Sequence, residues 1–217
     1  LAVRDGVVRS RHGRTRASVF PIGIDPHEFA RLAAKASTHP DVSRLRRSLN
    51  GEKLAIGVDR LDYSKGLVNR IKAFDRMWTL YPSLARSVSL LQIATPSRGA
   101  IEAYGNLQSE VAKLVSEVNG QHGEVDWTPI RYLNKGYSQA VLAGLYRTAQ
   151  VGVVTPLQDG MNLVAKEFVA ARDDERGVLV LSQFTGAARE LTEALVVNPY
   201  DLDQAGALIN SADLVVY

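Results

Sequence analysis

From position 54 onward the chain alternates short, continuous apolar runs with stretches in which apolar residues recur every three or four positions. The runs are LAIGV (54–58), SLLQIA (89–94), VDWTPI (125–130), VGVV (151–154), VLVL (178–181) and ALVV (194–197). They predict strands covered on both faces, as in a parallel sheet. Between them, 66–80 places Leu67, Ile71, Phe74 and Trp78 at helical spacing, and 100–118 does the same with Ile101, Leu107, Val111 and Leu114. Segments 135–148 and 163–171 follow the same rule, and shorter helices are expected at 41–49 and 201–208. Six strands with helical crossovers predict an α/β fold, a doubly wound and mostly parallel sheet. Upstream, a short strand is expected at 17–20; downstream, the chain ends on the apolar stretch SADLVVY, without the polar helix expected to cap such a sheet.

Composition narrows the class. The 217 residues are 46% hydrophobic and 23% charged, values of ordinary globular proteins. That size suits one domain burying about 70% of its unfolded surface. No run approaches the roughly 20 apolar residues of a membrane span, and the start lacks a secretory h-region. A soluble, cytoplasmic protein without membrane contact is expected. The absence of cysteine removes disulfides, thiolate nucleophiles and cysteine-ligated metals, and His12, His27, His39 and His122 lie far apart in sequence. No metal and no cofactor are expected. The net charge of +3 is too small to indicate nucleic acid. Arg4, Arg9, Arg11, Arg14 and Arg16 cluster against Asp5 alone, which fits a phosphate-binding arm or a solvated hairpin. The lack of interleaved aromatic residues favours the hairpin.

Ligands of open parallel sheets bind beyond the carboxyl ends of the strands, so the chemistry is sought in the loops there. GVDRLDYSKGL (57–67) sets Arg60 and Lys65 on either side of a turn that opens a helix. A guanidinium fork, an ammonium and the free amides of a helix start suit a diphosphate. The bland alternative pairs the two cations with Asp59 and Asp62. In VVTPLQDGMNLVAKEF (153–168), Gly160 allows close backbone approach, and the amides of Met161, Asn162 and Leu163 fall at a helix start. Asp159 and Glu167 can border one crevice and accept from sugar and ribose hydroxyls, or else cap the helix and pair with Lys166 or Arg172. Arg98, in ATPSRGAIEAY (94–104), is either a phosphate clamp or a helix-entry residue. No G-x-G-x-x-G, P-loop or G-x-S-x-G motif is present, so dehydrogenase, P-loop kinase and esterase chemistry are not indicated.

The blocks FPIGID (20–25), GVDRLDYSKGL, ATPSRG (94–99), TPLQDGMNLVAKEF (155–168) and LSQFTGAARELTEALVVNPYD (181–201), in that order, resemble those of the trehalose-6-phosphate synthases. These are retaining glycosyltransferases with two Rossmann-like domains across a cleft, the GT-B architecture. The resemblance is to their C-terminal, nucleotide-sugar-binding half and fades near Leu208. It implies a strand or linker over 1–25, a Rossmann-like domain over 26–210 and an atypical tail over 211–217. It implies glucosyl transfer from a nucleoside diphosphate glucose, UDP-glucose foremost, to glucose 6-phosphate, giving trehalose 6-phosphate. Arg60 and Lys65 would contact the diphosphate and Asp159 the donor glucose. The backbone around Gly160, Met161, Asn162, Leu163 and Val164 would cradle sugar and phosphate, Glu167 would hold the ribose and Arg98 the acceptor's phosphate. A missing N-terminal half is the implied partner, with a homo-oligomer open and the chain inactive alone. A non-catalytic nucleotide-sugar-binding module for regulation or assembly is the alternative.

Overall fold

The computed structural model describes residues 2–4, 6–96 and 102–215. β1 (Ala2–Arg4), β2 (Val7–Ser10) and β3 (Gly13–Arg16) form a separate antiparallel ribbon. β3 is exposed throughout, so the arginine-rich opening is a solvated hairpin extended by a third strand. The strand expected at 17–20 is absent. That segment has no regular structure, and Val19 and Phe20, whose apolar character suggested a strand, remain exposed.

Two helices precede the main sheet. α1 (Pro26–Ala36) was not among the expected helices, although its start is written in the sequence: Asp25 caps it, accepting from the Glu28 amide at 2.9 Å, and Pro26 occupies the first turn. α2 (Pro40–Ser48) follows. The sheet strands are β4 (Lys53–Arg60), β5 (Val88–Thr95), β6 (Ile130–Leu133), β7 (Val151–Val154), β8 (Val178–Ser182) and β9 (Leu195–Val197). Their helices are α3 (Leu67–Leu80), α4 (Glu102–His122), α5 (Gln139–Thr148), α6 (Leu163–Ala171) and α7 (Leu202–Val215).

Every described pairing in this sheet is parallel, in the order β6-β5-β4-β7-β8-β9. The chain therefore winds outward from β4 through β5 to β6, returns to the centre at β7, and winds the other way. Side chains alternate between two cores. Leu54, Ile56 and Val58 of β4 join Phe29, Tyr146 and Phe168 under α1, α2, α5 and α6, while Ala55 and Leu90 join Phe74, Trp78, Val111 and Ile209 under α3, α4 and α7. Both faces are covered, as a doubly wound sheet requires.

Four boundaries differ from the hydrophobic pattern by four residues or more, one of them the end of α4, at His122 instead of 118. β6 begins at Ile130 instead of 125 because Pro129 has no amide to donate; its carbonyl accepts from Leu90, and Trp127 is buried in a turn before the strand. α5 begins at Gln139 instead of 135, capped by Ser138. α7 continues to Val215 instead of ending at 208. Among the described residues no helix is long and apolar enough to cross a membrane.

Candidate functional site

The reversal between β4 and β7 opens a crevice at their carboxyl ends, where open sheets take ligands. The first wall is the turn after β4. Asp62 accepts from the amide and hydroxyl of Ser64 at 2.8 and 2.7 Å, closing a 3-10 turn over Tyr63–Lys65. The Ser64 hydroxyl, above all, holds the Asp62 carboxyl below its ordinary pKa, with Lys65 and Arg60 adding to the effect. Gly66 ends the turn at φ 66°, a conformation that favours glycine, and a Cβ there would sit 2.5 Å from the Thr155 carbonyl oxygen. The two loops thus touch through backbone.

The second wall follows β7. The amides of Leu157 and Gln158 both donate to the Ser64 carbonyl, at 2.7 and 3.3 Å, and the Asp159 amide donates to Phe184 at 3.0 Å. Gly186 backs this wall so closely that a Cβ would lie 2.1 Å from the Gly160 carbonyl oxygen. Asn162, at φ 78°, caps α6 by accepting from the Ala165 amide at 3.1 Å. Its Nδ2 donates to Asp159 Oδ2 at 3.0 Å, and Lys65 Nζ reaches the same oxygen at 2.6 Å. Between the walls lies a crevice of about 460 Å³ lined by Val58, Asp59, Arg60, Lys65, Thr95, Asp159, Asn162, Leu163 and Val164.

The structure therefore brings Arg60, Lys65, Asp159, Asn162, Leu163 and Val164 together. Gly160 and Met161 support the turn behind them; the Met161 carbonyl accepts from Ala187 at 2.9 Å. Arg98 lies outside the described residues. The bland pairings do not form. Asp59 binds Arg70, Lys166 binds Glu190, Arg172 binds Asp174, and Asn162 caps α6 in place of Asp159. At the opposite end of the sheet, arginines serve helix ends: Arg46, Arg147 and Arg172 donate to the carbonyls of Ser37, Ala171 and Arg147. Among the described residues no three His, Asp or Glu side chains converge to hold a metal ion.

Beneath the crevice lies a network that loop-by-loop reading misses. Arg70, buried in the first turns of α3, donates to Asp59, to Gln92 Oε1 at 2.9 Å and to Thr155 Oγ1 at 3.0 Å, and approaches the Lys65 carbonyl at 3.5 Å. Gln92, fully buried on β5, donates to the Gly57 and Ile93 carbonyls at 3.2 and 3.1 Å. One guanidinium thus joins the tip of β4, the middle of β5 and the entrance of the second wall.

Glu167, half-buried one turn into α6, stands outside the crevice lining. It accepts from the Tyr146 hydroxyl at 3.5 Å and is also hydrogen-bonded by Gln139. Burial raises its pKa above the ordinary 4.5, and burial, with the Glu167 charge adding to it, keeps the Tyr146 phenol protonated. The folded chain therefore holds more protons than the unfolded chain between the ordinary and the raised value. Stability falls as pH rises through that window and returns as pH drops below it. Glu167→Gln is expected to be the more stable protein at neutral pH, by a modest margin that closes below about 4.5. Denaturant midpoints across pH check this; a gap that does not change with pH contradicts it.

With this geometry in place, the relatives are informative. The model of glycosyltransferase family 20 matches residues 2–214. The chain is 51% identical over 208 residues to the trehalose-6-phosphate synthase of Sinorhizobium fredii (strain NBRC 101917 / NGR234), covering 94% of this chain and 45% of that protein. It superposes, with TM-score 0.93 and 46% identity, on a UDP-forming alpha,alpha-trehalose-phosphate synthase from Burkholderia xenovorans in complex with glucose-6-phosphate. That match covers 97% of this chain and 46% of the other. A structure described as trehalose-6-phosphate from E. coli bound with UDP-2-fluoro glucose matches at TM-score 0.93 and 41% identity, over 99% of this chain and 48% of that one. The chain thus spans less than half the length of these relatives. A parallel sheet with its crevice at the strand reversal, matched in sequence and superposed over nearly its whole length, leads to one assignment: the chain belongs to glycosyltransferase family 20.

Proposed function

We propose that the crevice binds a nucleoside diphosphate glucose, UDP-glucose foremost, and that the domain serves glucosyl transfer to glucose 6-phosphate, giving trehalose 6-phosphate. The observation that carries this reading is the convergence of Arg60, Lys65, Asp159 and the start of α6 on one crevice at the sheet's switch point. Two cations and the amides of a helix start suit a diphosphate, and a carboxylate suits sugar hydroxyls. The relatives' names, and the glucose-6-phosphate and UDP-2-fluoro glucose in their structures, support the two substrates.

In this reading the Arg60 guanidinium and the Lys65 ammonium neutralise the charge that grows on the departing diphosphate. Such preorganised groups are worth about 2–4 kcal/mol of barrier each. Retention arises by attack on the face the diphosphate leaves, with a phosphate oxygen helping to take the acceptor hydroxyl's proton, so no protein nucleophile is called for. Glu167, one turn further along α6 than the crevice lining, accepts from ribose hydroxyls where the ligand extends past that lining, and Arg98 has the role of binding the acceptor's phosphate. A further half of the enzyme, as the greater length of the relatives suggests, supplies the remaining acceptor contacts. Titration calorimetry of this chain with UDP-glucose is expected to show one saturable site. No heat at millimolar ligand overturns the proposal.

A further inference from the structure

The pair that crosses the crevice is the least expected feature of a donor site. Lys65 Nζ and Asp159 Oδ2 stand 2.6 Å apart, and their side chains are only 15% and 16% exposed. Lys65 comes from the turn after β4 and Asp159 from the loop after β7, so the bond ties the two walls directly. In the arrangement described, the cation offered to a diphosphate is already matched by a carboxylate. A nucleotide must take Lys65 away from Asp159 to use it. Asp159 then keeps Asn162 Nδ2 at 3.0 Å, but loses its charged partner in a place shielded from water and stands close to the incoming phosphates. Like charges brought together in such a place disfavour binding.

We infer that Asp159 makes the crevice discriminate between a nucleoside diphosphate that carries a sugar and one that has lost it, through exchange of the Lys65–Asp159 ion pair. The inference rests on the donor reading above and adds a direction to it. When the ligand carries glucose, sugar hydroxyls donate to Asp159 and replace the hydrogen bonds Lys65 provided, while the diphosphate takes the ammonium. Both ends of the broken pair are satisfied. When the ligand is UDP alone, only Lys65 finds a new partner and Asp159 is left facing the phosphates. The spent nucleotide is therefore held more weakly than the donor. After transfer, Lys65 returns to Asp159 as UDP leaves.

The consequence runs against what a simple donor contact would give. Asp159→Asn keeps the shape and the bond to Asn162 but releases Lys65. UDP affinity is expected to rise about tenfold or more while UDP-glucose affinity falls, so the preference for the donor collapses or inverts. Titration calorimetry of the chain with UDP and with UDP-glucose, on wild type and Asp159→Asn, reads both. Thermal unfolding checks that the variant is folded, and Asp159→Ser repeats the test should Asp159→Asn be unstable. Lys65→Ala and the Lys65→Ala/Asp159→Asn double variant complete the cycle: without the ammonium to release, only the relief of like-charge repulsion remains, and the UDP gain is expected to be about threefold or more smaller than in the wild-type background. UDP affinity unchanged in Asp159→Asn, with UDP-glucose bound normally by wild type, overturns the exchange alone. The full UDP gain surviving in the Lys65→Ala background also overturns it, because plain loss of a negative charge then suffices. No binding of either ligand by any of these proteins overturns the donor reading and the exchange with it.

Discussion

Lys65→Ala is expected to lower turnover by about a hundredfold or more in a complete enzyme built on this domain, since each 1.4 kcal/mol of lost barrier stabilisation is a factor of ten. Glucosyl transfer moves charge onto the diphosphate as the glycosidic bond breaks, so a cation fixed beside it contributes more in the transition state than in the bound donor. The loss is therefore expected mainly in kcat, with KM for the donor changed less. The backbone that carries Lys65 is fixed, since it lies in the Asp62-capped turn and Gly66 locks the end of that turn against Thr155; the side chain, only 15% exposed, therefore exchanges partners within a short reach. Arg60, at the exposed end of β4, is expected to give a smaller loss in the same direction, because water screens it. Initial rates of UDP release at saturating UDP-glucose check both. A Lys65→Ala enzyme with near-normal kcat would remove this side chain from the leaving group's charge.

What could be read from the sequence, and what could not, follows from the range of the forces involved. β7 and α6 fall where the pattern puts them, at 151–154 and 163–171, because a wholly apolar run and a sharply bounded amphipathic stretch are local signals. The crevice residues were legible for a related reason. In a parallel sheet every carboxyl-end loop lies on one rim, and the adjacency of β4 and β7 at the reversal brings their two loops together there. β3 leaves no hydrophobic trace because its four residues, GRTR, are all exposed, and only the hairpin expected of the arginine-rich opening covered it. β6 was misplaced by a proline's missing amide. α1 buries only Phe29, Ala33 and Ala36, too faint a stripe to stand out, and its cap at Asp25 was the better signal. Pairing was the least legible. Lys65 stands three positions from Asp62 in sequence but donates its hydrogen bond to Asp159, 94 positions away.

Arg70→Leu is expected to destabilise the fold by about 3–5 kcal/mol, the cost of breaking one side of a buried ion pair. The sequence held a clue to this residue. Position 70 lies on the same helical face as Leu67, Ile71 and Phe74, and a charge on an apolar stripe requires a partner. That partner, Asp59, has 3% of its side chain exposed; without Arg70 it would be an uncompensated carboxylate in the core, and Gln92 and Thr155 would lose hydrogen bonds as well. No slack exists nearby, since a Cβ at Gly57 would lie 2.5 Å from Arg70 Nη1 and 2.6 Å from Gln92 Oε1. Removing both charges is a different experiment. Buried pairs replaced by apolar side chains of similar volume are commonly neutral or stabilising, so Asp59→Leu/Arg70→Met is expected to regain most of the loss in urea denaturation. Donor affinity is not expected to return with it, because Arg70 also holds the Thr155 hydroxyl and the Lys65 carbonyl, the points from which Asp159 and Lys65 are aimed. A double variant both stable and normal in UDP-glucose binding would reduce the network to packing. One that is stable but binds weakly separates the two roles: Asp59 and Arg70 neutralise each other for the fold, while the geometry of the Arg70 guanidinium sets the distance between the walls of the crevice.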